Sequence, residues 1–155
     1  MKWKLPPRIK VYEALGCIAD GRMKIEDNKA QVLSSSGGKS YTVKYDPEKN
    51  AIMSNDNGSY WAGYLGYPSI AFLMAKGVIR YDPECAEALR GIGWKDINVR
   101  FRNNFEKTES YIIGLLKEKG FDEGRMKSEI YRIYSQIEKL GIEKLGPRMK
   151  PPRGY

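Results

Sequence analysis

The stretch AQVLSSSGGKSYTVKYDPEKNAIMS, residues 30–54, decides the fold class. Within residues 41–45, two tyrosines and a valine alternate with a threonine and a lysine, and this alternation indicates a strand with one buried face. Short segments rich in strand formers lie on both sides of it, and turn signals separate them. The predicted strands, which form a small antiparallel meander, are residues 22–26, 30–34, 40–45 and 51–54.

Apolar residues on both sides of the meander predict helices. Residues 8–19 carry valine, leucine and isoleucine on one helical face and are followed by Asp20-Gly21, a helix stop. The apolar run IAFLMA predicts a buried helix at residues 69–76 that packs on the meander. We therefore expect an α+β fold in which residues 1–80 form a ββα unit behind an N-terminal helix.

From residue 82 onward the pattern is helical. A short helix at residues 83–89 has Asp82 as its N-cap, and two long helices follow, the first ending at Gly120 and the second beginning after Asp122. The short connection between them predicts an antiparallel helical hairpin within residues 81–145. The last helix carries an apolar seam whose members recur every three or four residues. The apolar seam consists of Met126, Ile130, Ile133, Ile137 and Leu140.

Basic residues outnumber acidic residues by 27 to 19, so the net charge is +8 at pH 7. Both ends of the chain are rich in lysine and arginine, and such cationic arms attract polyanions, above all nucleic acid, through a salt-sensitive interaction. The alternative is that the charge keeps the protein soluble at high temperature, because a surface rich in lysine and glutamate also suits a thermophile. The basic tail, residues 146–155, is rich in proline and glycine and is expected to be extended or disordered.

No apolar run approaches the roughly 18 residues of a membrane span, and the N-terminal region lacks the apolar segment of a signal peptide. We therefore expect a cytoplasmic protein with no membrane partner. Cys17 and Cys85 lie far apart in the sequence without a CxxC spacing, which argues against a disulfide scaffold or a zinc site. Both cysteines are predicted to be buried thiols.

The chain has no histidine, which removes the usual general base near neutral pH and excludes Ser-His-Asp and Cys-His arrangements. Carboxylate pairs such as Asp122 with Glu123 stand at predicted turns and helix starts, where capping explains them. The run Ser-Gly-Gly-Lys-Ser at residues 36–40 lies between strands, so we predict a hairpin turn and not a phosphate-binding loop. We predict a binding protein that is not an enzyme and that needs no cofactor or metal.

A series of short motifs runs through the first half of the chain. An Ala-Asp-Gly-Arg helix end at residues 19–22 leads into strands that enclose a Ser-Ser-Ser-Gly-Gly turn at residues 34–38. The strand YTVKYD, an aromatic loop with Trp61 and the segment GYPSIAFLM at residues 66–74 follow. In this order, residues 8–76 resemble a SWIM domain, a ββα module that normally binds zinc through a CxC pair in a strand turn and a CxH pair at the start of a helix.

None of the residues at the family's zinc-ligand positions is a zinc ligand, since structural zinc sites take thiolate or imidazole. These residues are Met53 and Asn55 for the first pair, and Ser69 and Ala71 for the second. The resemblance therefore implies a zinc-free SWIM fold in which apolar packing of Met53, the aromatic loop and residues 70–74 replaces the metal. It also implies binding of DNA or of a protein partner, and it favours DNA over RNA.

The aromatic loop, residues 55–68, contains four aromatic side chains. We predict that Trp61 and Tyr67 belong to the core, whereas Tyr60 and Tyr64 either stack on unpaired bases or form a lid on the core. Three basic residues recur every seven positions on the last helix and form a basic stripe, Arg125, Arg132 and Lys139, for which the alternative is a solvated helix face. The predicted nucleic-acid-binding residues are Lys39, Lys44, Tyr60, Tyr64, Arg100, Arg102, Arg125, Arg132, Lys139, Arg148, Lys150 and Arg153.

The sequence thus favours a nucleic-acid-binding protein that uses its basic arms, the basic stripe and aromatic stacking. The rival is a protein-interaction adapter or a homodimer that pairs through the apolar seam, with the charge serving only solubility. A third interpretation is a subunit or regulator of a nucleic-acid enzyme. Nucleic-acid binding predicts an affinity that falls with salt, whereas the adapter predicts oligomers that resist salt.

Overall fold

An antiparallel meander forms most of the sheet in the computed structural model, which describes residues 1–153. Its strands, paired in chain order, are β1 (Met23–Glu26), β2 (Lys29–Leu33), β3 (Ser40–Asp46) and β4 (Ala51–Ser54). A fifth strand, β5 (Glu143–Lys144), pairs in parallel with β4. The predicted meander is confirmed, and the parallel edge strand is an element that the sequence pattern did not reveal.

The alternation in β2 and β3 buries one face of the sheet. Ala30 pairs with Val43 and Val32 pairs with Tyr41, and all four side chains are buried. Between the two strands, the predicted turn at residues 36–40 is confirmed as part of a hairpin, because Ser34 N donates to Lys39 O at 2.9 Å. The period of two therefore decides which side of the meander receives the helices.

Six α-helices and one π-helix accompany the sheet in the described part of the chain. They are α1 (Ile9–Asp20), the π-helix (Gly58–Ala62), α2 (Tyr67–Ala75), α3 (Pro83–Ala88), α4 (Trp94–Arg100), α5 (Phe105–Glu118) and α6 (Glu123–Leu140). The predicted first helix, buried helix, short third helix and long helical pair are confirmed, and the fold class is α+β. The π-helix and α4 were not predicted.

Capping residues mark the ends of several helices. The Asp82 side chain accepts from Glu84 N at 2.9 Å, and the Asp122 side chain accepts from Arg125 N at 2.7 Å. Gly21 ends α1 with φ 65°, a left-handed conformation that costs glycine little. Local chemistry therefore places these helix ends where the sequence predicted them.

A single hydrophobic core within residues 1–153 joins both halves of the chain. Helix α1 lies at its centre and contacts α2, α3, α5 and α6. The apolar seam of α6 enters this core: Met126, Ile130, Ile133 and Ile137 are at most 4% exposed, and Leu140 is partly buried against the same core. The seam is therefore an internal packing surface, which corrects the expectation that it faces a partner or another copy.

Both basic ends pack onto the molecule. At the N-terminus, Trp3 is buried, its Nε1 donates to Ile52 O at 2.9 Å, and Lys4 N donates to Gly63 O at 3.1 Å. In the tail, residues 146–153 lack regular structure, but Arg148 Nη1 donates to Tyr60 O at 3.2 Å and Met149 packs against the core. The described part of the tail is thus anchored to the rest of the protein without regular structure, and residues 154–155 of the predicted tail lie outside the described residues.

Cys17 and Cys85 are free and buried, as predicted. Burial raises the pKa of the Cys17 thiol to about 11 and that of the Cys85 thiol to about 12. Neither thiol is therefore a thiolate nucleophile near neutral pH. Among residues 1–153, no helix is long and apolar enough to pass through a membrane.

Candidate functional site

A cavity of about 560 Å³ opens between α1, the β2–β3 turn, the π-helix and α4. Its volume lies in the range of roughly 300 to 1,000 Å³ that small-molecule sites occupy. The lining contains four cations and two carboxylates together with serine, asparagine and aromatic side chains. We call this feature the cavity.

A buried carboxylate fixes the wall that carries the π-helix. Asp56 accepts from Ser54 Oγ and Ser59 Oγ, both at 2.7 Å, and from Ser59 N at 3.1 Å. Ser69 Oγ, at the start of α2, donates to Ser54 Oγ at 2.8 Å. A side chain at Gly66 would collide with the Asp56 carboxylate, so glycine is required there. This network ties β4, the π-helix and α2 together.

The network also includes one of the positions that the SWIM resemblance aligns with zinc ligands. Ser69 is fully buried and hydrogen bonded, Met53 and Ala71 are buried apolar residues, and Asn55 Oδ1 accepts from Thr42 N at 2.8 Å. Order in this region therefore comes from hydrogen bonds to Asp56 as well as from the apolar packing that the sequence predicted. Among residues 1–153, no three histidine, cysteine or acidic side chains form a group that could hold a metal ion.

A buried ion pair lies on the α1 side of the cavity. Glu13 is 3% exposed; its Oε1 accepts from Asn98 Nδ2 at 2.9 Å, and its Oε2 lies 2.8 Å from Lys10 Nζ. Burial by itself would lower the pKa of Lys10, but the charge and the hydrogen bond of Glu13 counteract burial, and the pKa is raised. The ammonium group therefore remains protonated near neutral pH.

A second buried cation, Arg22, follows α1. Its Nε donates to Asp20 Oδ2 at 3.1 Å, its Nη1 donates to Leu33 O at 2.6 Å, and its guanidinium carbon lies 5.9 Å from the Tyr67 ring centroid. Burial raises the pKa of the Tyr67 phenol, which stays neutral. These contacts hold the guanidinium in place at the wall of the cavity.

Four buried side-chain atoms in the described part of the chain lack a hydrogen-bond partner there, and all four belong to residues that line the cavity. They are Glu13 Oε2, Arg22 Nη2, Trp94 Nε1 and Asn98 Oδ1. Glu13 Oε2 is still paired with Lys10 through charge, which leaves two donors and one acceptor unbonded. An unsatisfied buried polar group costs about 1–3 kcal/mol, and these groups are concentrated in the walls of one cavity.

An aromatic rim continues from the cavity to the basic tail. Trp61, which lines the cavity, is 73% exposed, and its ring stands nearly perpendicular to the Tyr60 ring at 4.7 Å between centroids. The Arg148 guanidinium lies 4.3 Å from the Tyr60 ring centroid. The prediction that Trp61 belongs to the core is wrong, because the π-helix directs this side chain outward, whereas Tyr67 does pack against the core.

The basic stripe is largely neutralised by carboxylates of the same chain. Arg125 forms ion pairs with Asp82 at 2.8 Å and Glu84 at 3.3 Å, and Arg132 pairs with Glu129 at 2.7 Å. The hydrogen bond from Arg125 lowers the pKa of the Asp82 carboxyl. Lys139 is exposed near the end of α6. Two of the three stripe residues would have to break ion pairs to bind phosphate.

The other predicted contacts are distributed over separate surfaces. Lys44 borders a depression of about 730 Å³ whose lining includes four acidic residues, Glu26, Asp27, Asp46 and Glu48, which makes it a poor place for phosphate. Arg100 and Arg102 are exposed at the end of α4, and the Arg100 guanidinium lies 5.1 Å from the Tyr111 ring centroid. Lys150 and Arg153 are exposed in the tail.

The structure brings four of the predicted residues to one place. Lys39 and Tyr64 line the cavity, and Tyr60 and Arg148 form the rim next to Trp61. Sequence reasoning missed several lining residues, namely Lys10, Glu13, Arg22, Trp94, Lys95 and Asn98. No local signal marked Glu13, because it shares its side of α1 with Lys10 and Asp20, as a residue of a solvated polar face would.

Comparison with known proteins gives one match. The family model described as Uncharacterised conserved protein UCP014422 matches residues 3–143, a range that includes every cavity-lining residue. No curated protein and no solved structure matches the chain significantly. On the extent of this match, the chain belongs to the family of the Uncharacterised conserved protein UCP014422.

Proposed function

We propose that this protein binds nucleic acid, without catalysis, by stacking an unpaired base on Trp61 at the rim of the cavity. The observation that carries the proposal is the exposure of this tryptophan, 73%, beside the Tyr60 and Arg148 stack. Exposed aromatic side chains flanked by cations bind single strands through stacking and charge. The SWIM resemblance favours DNA over RNA as the polymer.

Charge at the rim supports the same ligand. Lys39 lines the same cavity as Trp61, and Arg148 lies over the neighbouring Tyr60 ring, so both cations border the proposed site. Because the arginines of the basic stripe are already paired with carboxylates, we assign phosphate contacts to the rim before the stripe. The buried seam gives no specific support to the adapter as a second function.

Fluorescence anisotropy with labelled oligonucleotides of about 12 nucleotides tests the proposal, with single- and double-stranded DNA and RNA compared. We expect single-stranded DNA to bind best, and log affinity to fall linearly with log salt, with a slope of about −0.7 per phosphate contacted. Trp61→Ala should weaken binding by roughly fivefold to 150-fold, because stacking contributes about 1–3 kcal/mol per base.

Tyr131→Ala is the matched control, because Tyr131 on α6 is 74% exposed and does not line the cavity. It should leave the affinity unchanged. The double variant Arg125→Ala and Arg132→Ala should have a smaller effect than Trp61→Ala. No binding at about 50 mM salt, or a loss confined to the stripe variant, contradicts the proposed site.

A further inference from the structure

We infer that the cavity receives one nucleotide of the bound strand, with its base inside and its phosphate at the opening. This inference rests on the proposed function and extends it, since stacking on Trp61 alone needs no cavity. The volume of about 560 Å³ is suited to a ligand of that size. The remaining support comes from the polar atoms, the charge and the backbone around the opening.

The polar atoms of the wall match the edge of a base. Arg22 Nη2 is a buried donor and Asn98 Oδ1 a buried acceptor, and neither has a hydrogen-bond partner within residues 1–153. A nucleobase presents donors and acceptors on one planar edge, so it can bond to both kinds of group. An apolar ligand of the same size would leave both of them unbonded.

Each of these groups is held in position by the protein. Arg22 is fixed through its Nε and Nη1, and Asn98 is fixed because its Nδ2 donates to Glu13 Oε1. Glu13 is in turn paired with Lys10 at 2.8 Å. Both side chains are therefore held at fixed positions in the wall of the cavity, and a small shift of the wall would bring the donor and the acceptor to a bound base.

The charge around the cavity suits a phosphate. Its lining has four cations, Lys10, Arg22, Lys39 and Lys95, against two carboxylates, Glu13 and Asp56. Both carboxylates are already bonded inside the protein, Asp56 to serine groups and Glu13 to Asn98 and Lys10. Lys10 and Arg22 are themselves paired, with Glu13 and Asp20, and Lys39 and Lys95 add further positive charge, which favours an anionic ligand over a neutral one.

The backbone around the opening has two unusual local conformations. Asn103, which lines the cavity, has φ 58°, and its neighbour Arg102 has φ 52°, both in the left-handed region. On another side, the π-helix supplies three lining residues, Gly58, Trp61 and Ala62. Both features are found preferentially at functional sites, where packing elsewhere maintains them.

Two valines provide a matched test of the opening. Val99 lines the cavity and is 68% exposed, whereas Val78 is 37% exposed and lies outside the lining, so neither substitution disturbs the core. Val99→Glu adds a negative charge at the opening and should weaken binding of single-stranded DNA by about tenfold. Val78→Glu makes the same change in net charge elsewhere and should reduce the affinity only slightly.

Titration of the whole protein with deoxynucleoside monophosphates provides a direct readout, observed by NMR. We expect the side-chain amide signals of Asn98 and the backbone signals of Ser36 and Lys39 to shift, and the nucleotide to compete with the oligonucleotide. Asn98→Leu should weaken competition by at least roughly twofold to tenfold, because it removes the acceptor for the base and also the hydrogen bond to Glu13. The affinity of a circularised oligonucleotide, compared with that of the linear one, tells whether the cavity receives the terminal nucleotide of a strand or an internal one.

The outcomes separate this inference from the function on which it rests. If Trp61→Ala weakens binding while Val99→Glu and Val78→Glu behave alike and no Asn98 signal shifts with nucleotide, the rim binds the strand and the cavity does not. In that case the polar atoms of the wall are satisfied by water alone, and the inference is overturned. If no oligonucleotide binds, the proposed function itself fails.

Discussion

Gly16 shows how a single missing Cβ can position a site. A Cβ at this helical position would lie 2.9 Å from Trp94 Nε1 and 3.2 Å from Leu89 O, so the indole of Trp94 packs directly against α1. Trp94 is 2% exposed and lines the cavity. The close approach therefore sets the position of α4 relative to α1, and with it the shape of the cavity.

Gly16→Ala should lower the free energy of unfolding by about 1–3 kcal/mol, because the rigid indole and a backbone carbonyl must move. Gly114→Ala is the matched control: Gly114 lies inside α5, and a Cβ there meets nothing within 4 Å. That change should raise the free energy of unfolding by about 0.5–1 kcal/mol. Urea unfolding measures both, and equal effects of the two substitutions would contradict the packing argument.

Between elements, a single carboxylate links α1 to α5. Glu109 accepts from Tyr12 Oη at 2.7 Å and from Arg8 Nη2 at 3.0 Å. Burial alone would raise the pKa of Glu109, but the hydrogen bonds from Arg8 and Tyr12 outweigh it and lower the pKa. The link therefore depends on the charged form of the carboxyl group.

This link predicts a pH dependence of stability. Because the folded-state pKa of Glu109 lies below the unfolded value of about 4.3, its contribution is present above that pH and is lost as the pH falls through the folded pKa. Glu109→Gln should lower the free energy of unfolding by about 1–3 kcal/mol at pH 7. Its stability should also fall less steeply than that of the wild type between about pH 5 and pH 3.

Urea unfolding at a series of pH values checks this prediction. Glu118→Gln, which changes an exposed glutamate on the same helix, is the control and should keep the wild-type pH profile. If Glu109→Gln and the wild type lose stability in parallel as the pH falls, the link does not depend on the charge of Glu109.

For the whole molecule, the core decides how the chain unfolds. Residues of α1, the sheet and the hairpin of α5 and α6 belong to the same hydrophobic core. Removal of residues 81–145 would expose the faces of α1 that contact α3, α5 and α6. We therefore expect one cooperative unfolding transition, seen alike by circular dichroism and by tryptophan fluorescence.

Ile133→Ala tests whether the seam is internal. Since Ile133 is fully buried, the substitution should cost about 2–5 kcal/mol of stability without any change in oligomeric state. Tyr131→Ala, on the exposed side of the same helix, should change stability by less than about 0.5 kcal/mol. Light scattering combined with urea unfolding measures both quantities. A salt-resistant oligomer that dissociates in Ile133→Ala at unchanged stability would instead support an adapter.

Much of the fold was predictable because its signals are local. The strands β1 to β4 and the helices α1, α3, α5 and α6 lie within one or two residues of their predicted positions. The segment of α4 shows no clear apolar period, and β5 is two residues long and pairs with a strand about 90 positions earlier. Such elements depend on partners that the sequence pattern does not specify.

The candidate site was predicted only in part. Lys39, Tyr60, Tyr64 and Arg148 were identified from charge and aromatic content, and all four lie at the cavity or its rim. The buried members were missed because each is ordinary in its own segment. Glu13 and Asn98 meet across 85 positions of the sequence, and no local pattern indicates that contact.

Sequence patterns were enough to predict most of the secondary structure and the α+β class, because alternation and helical period record which face of each segment leaves water. The sequence also specifies the basic charge and the absence of histidine. Three features depend on how the chain packs: the internal position of the apolar seam, the exposure of Trp61 and the four polar side chains around one cavity. Periodicity shows that one face of a segment is buried, but it does not show which other element covers that face. A site depends on which distant segments meet, and that is a property of the folded chain.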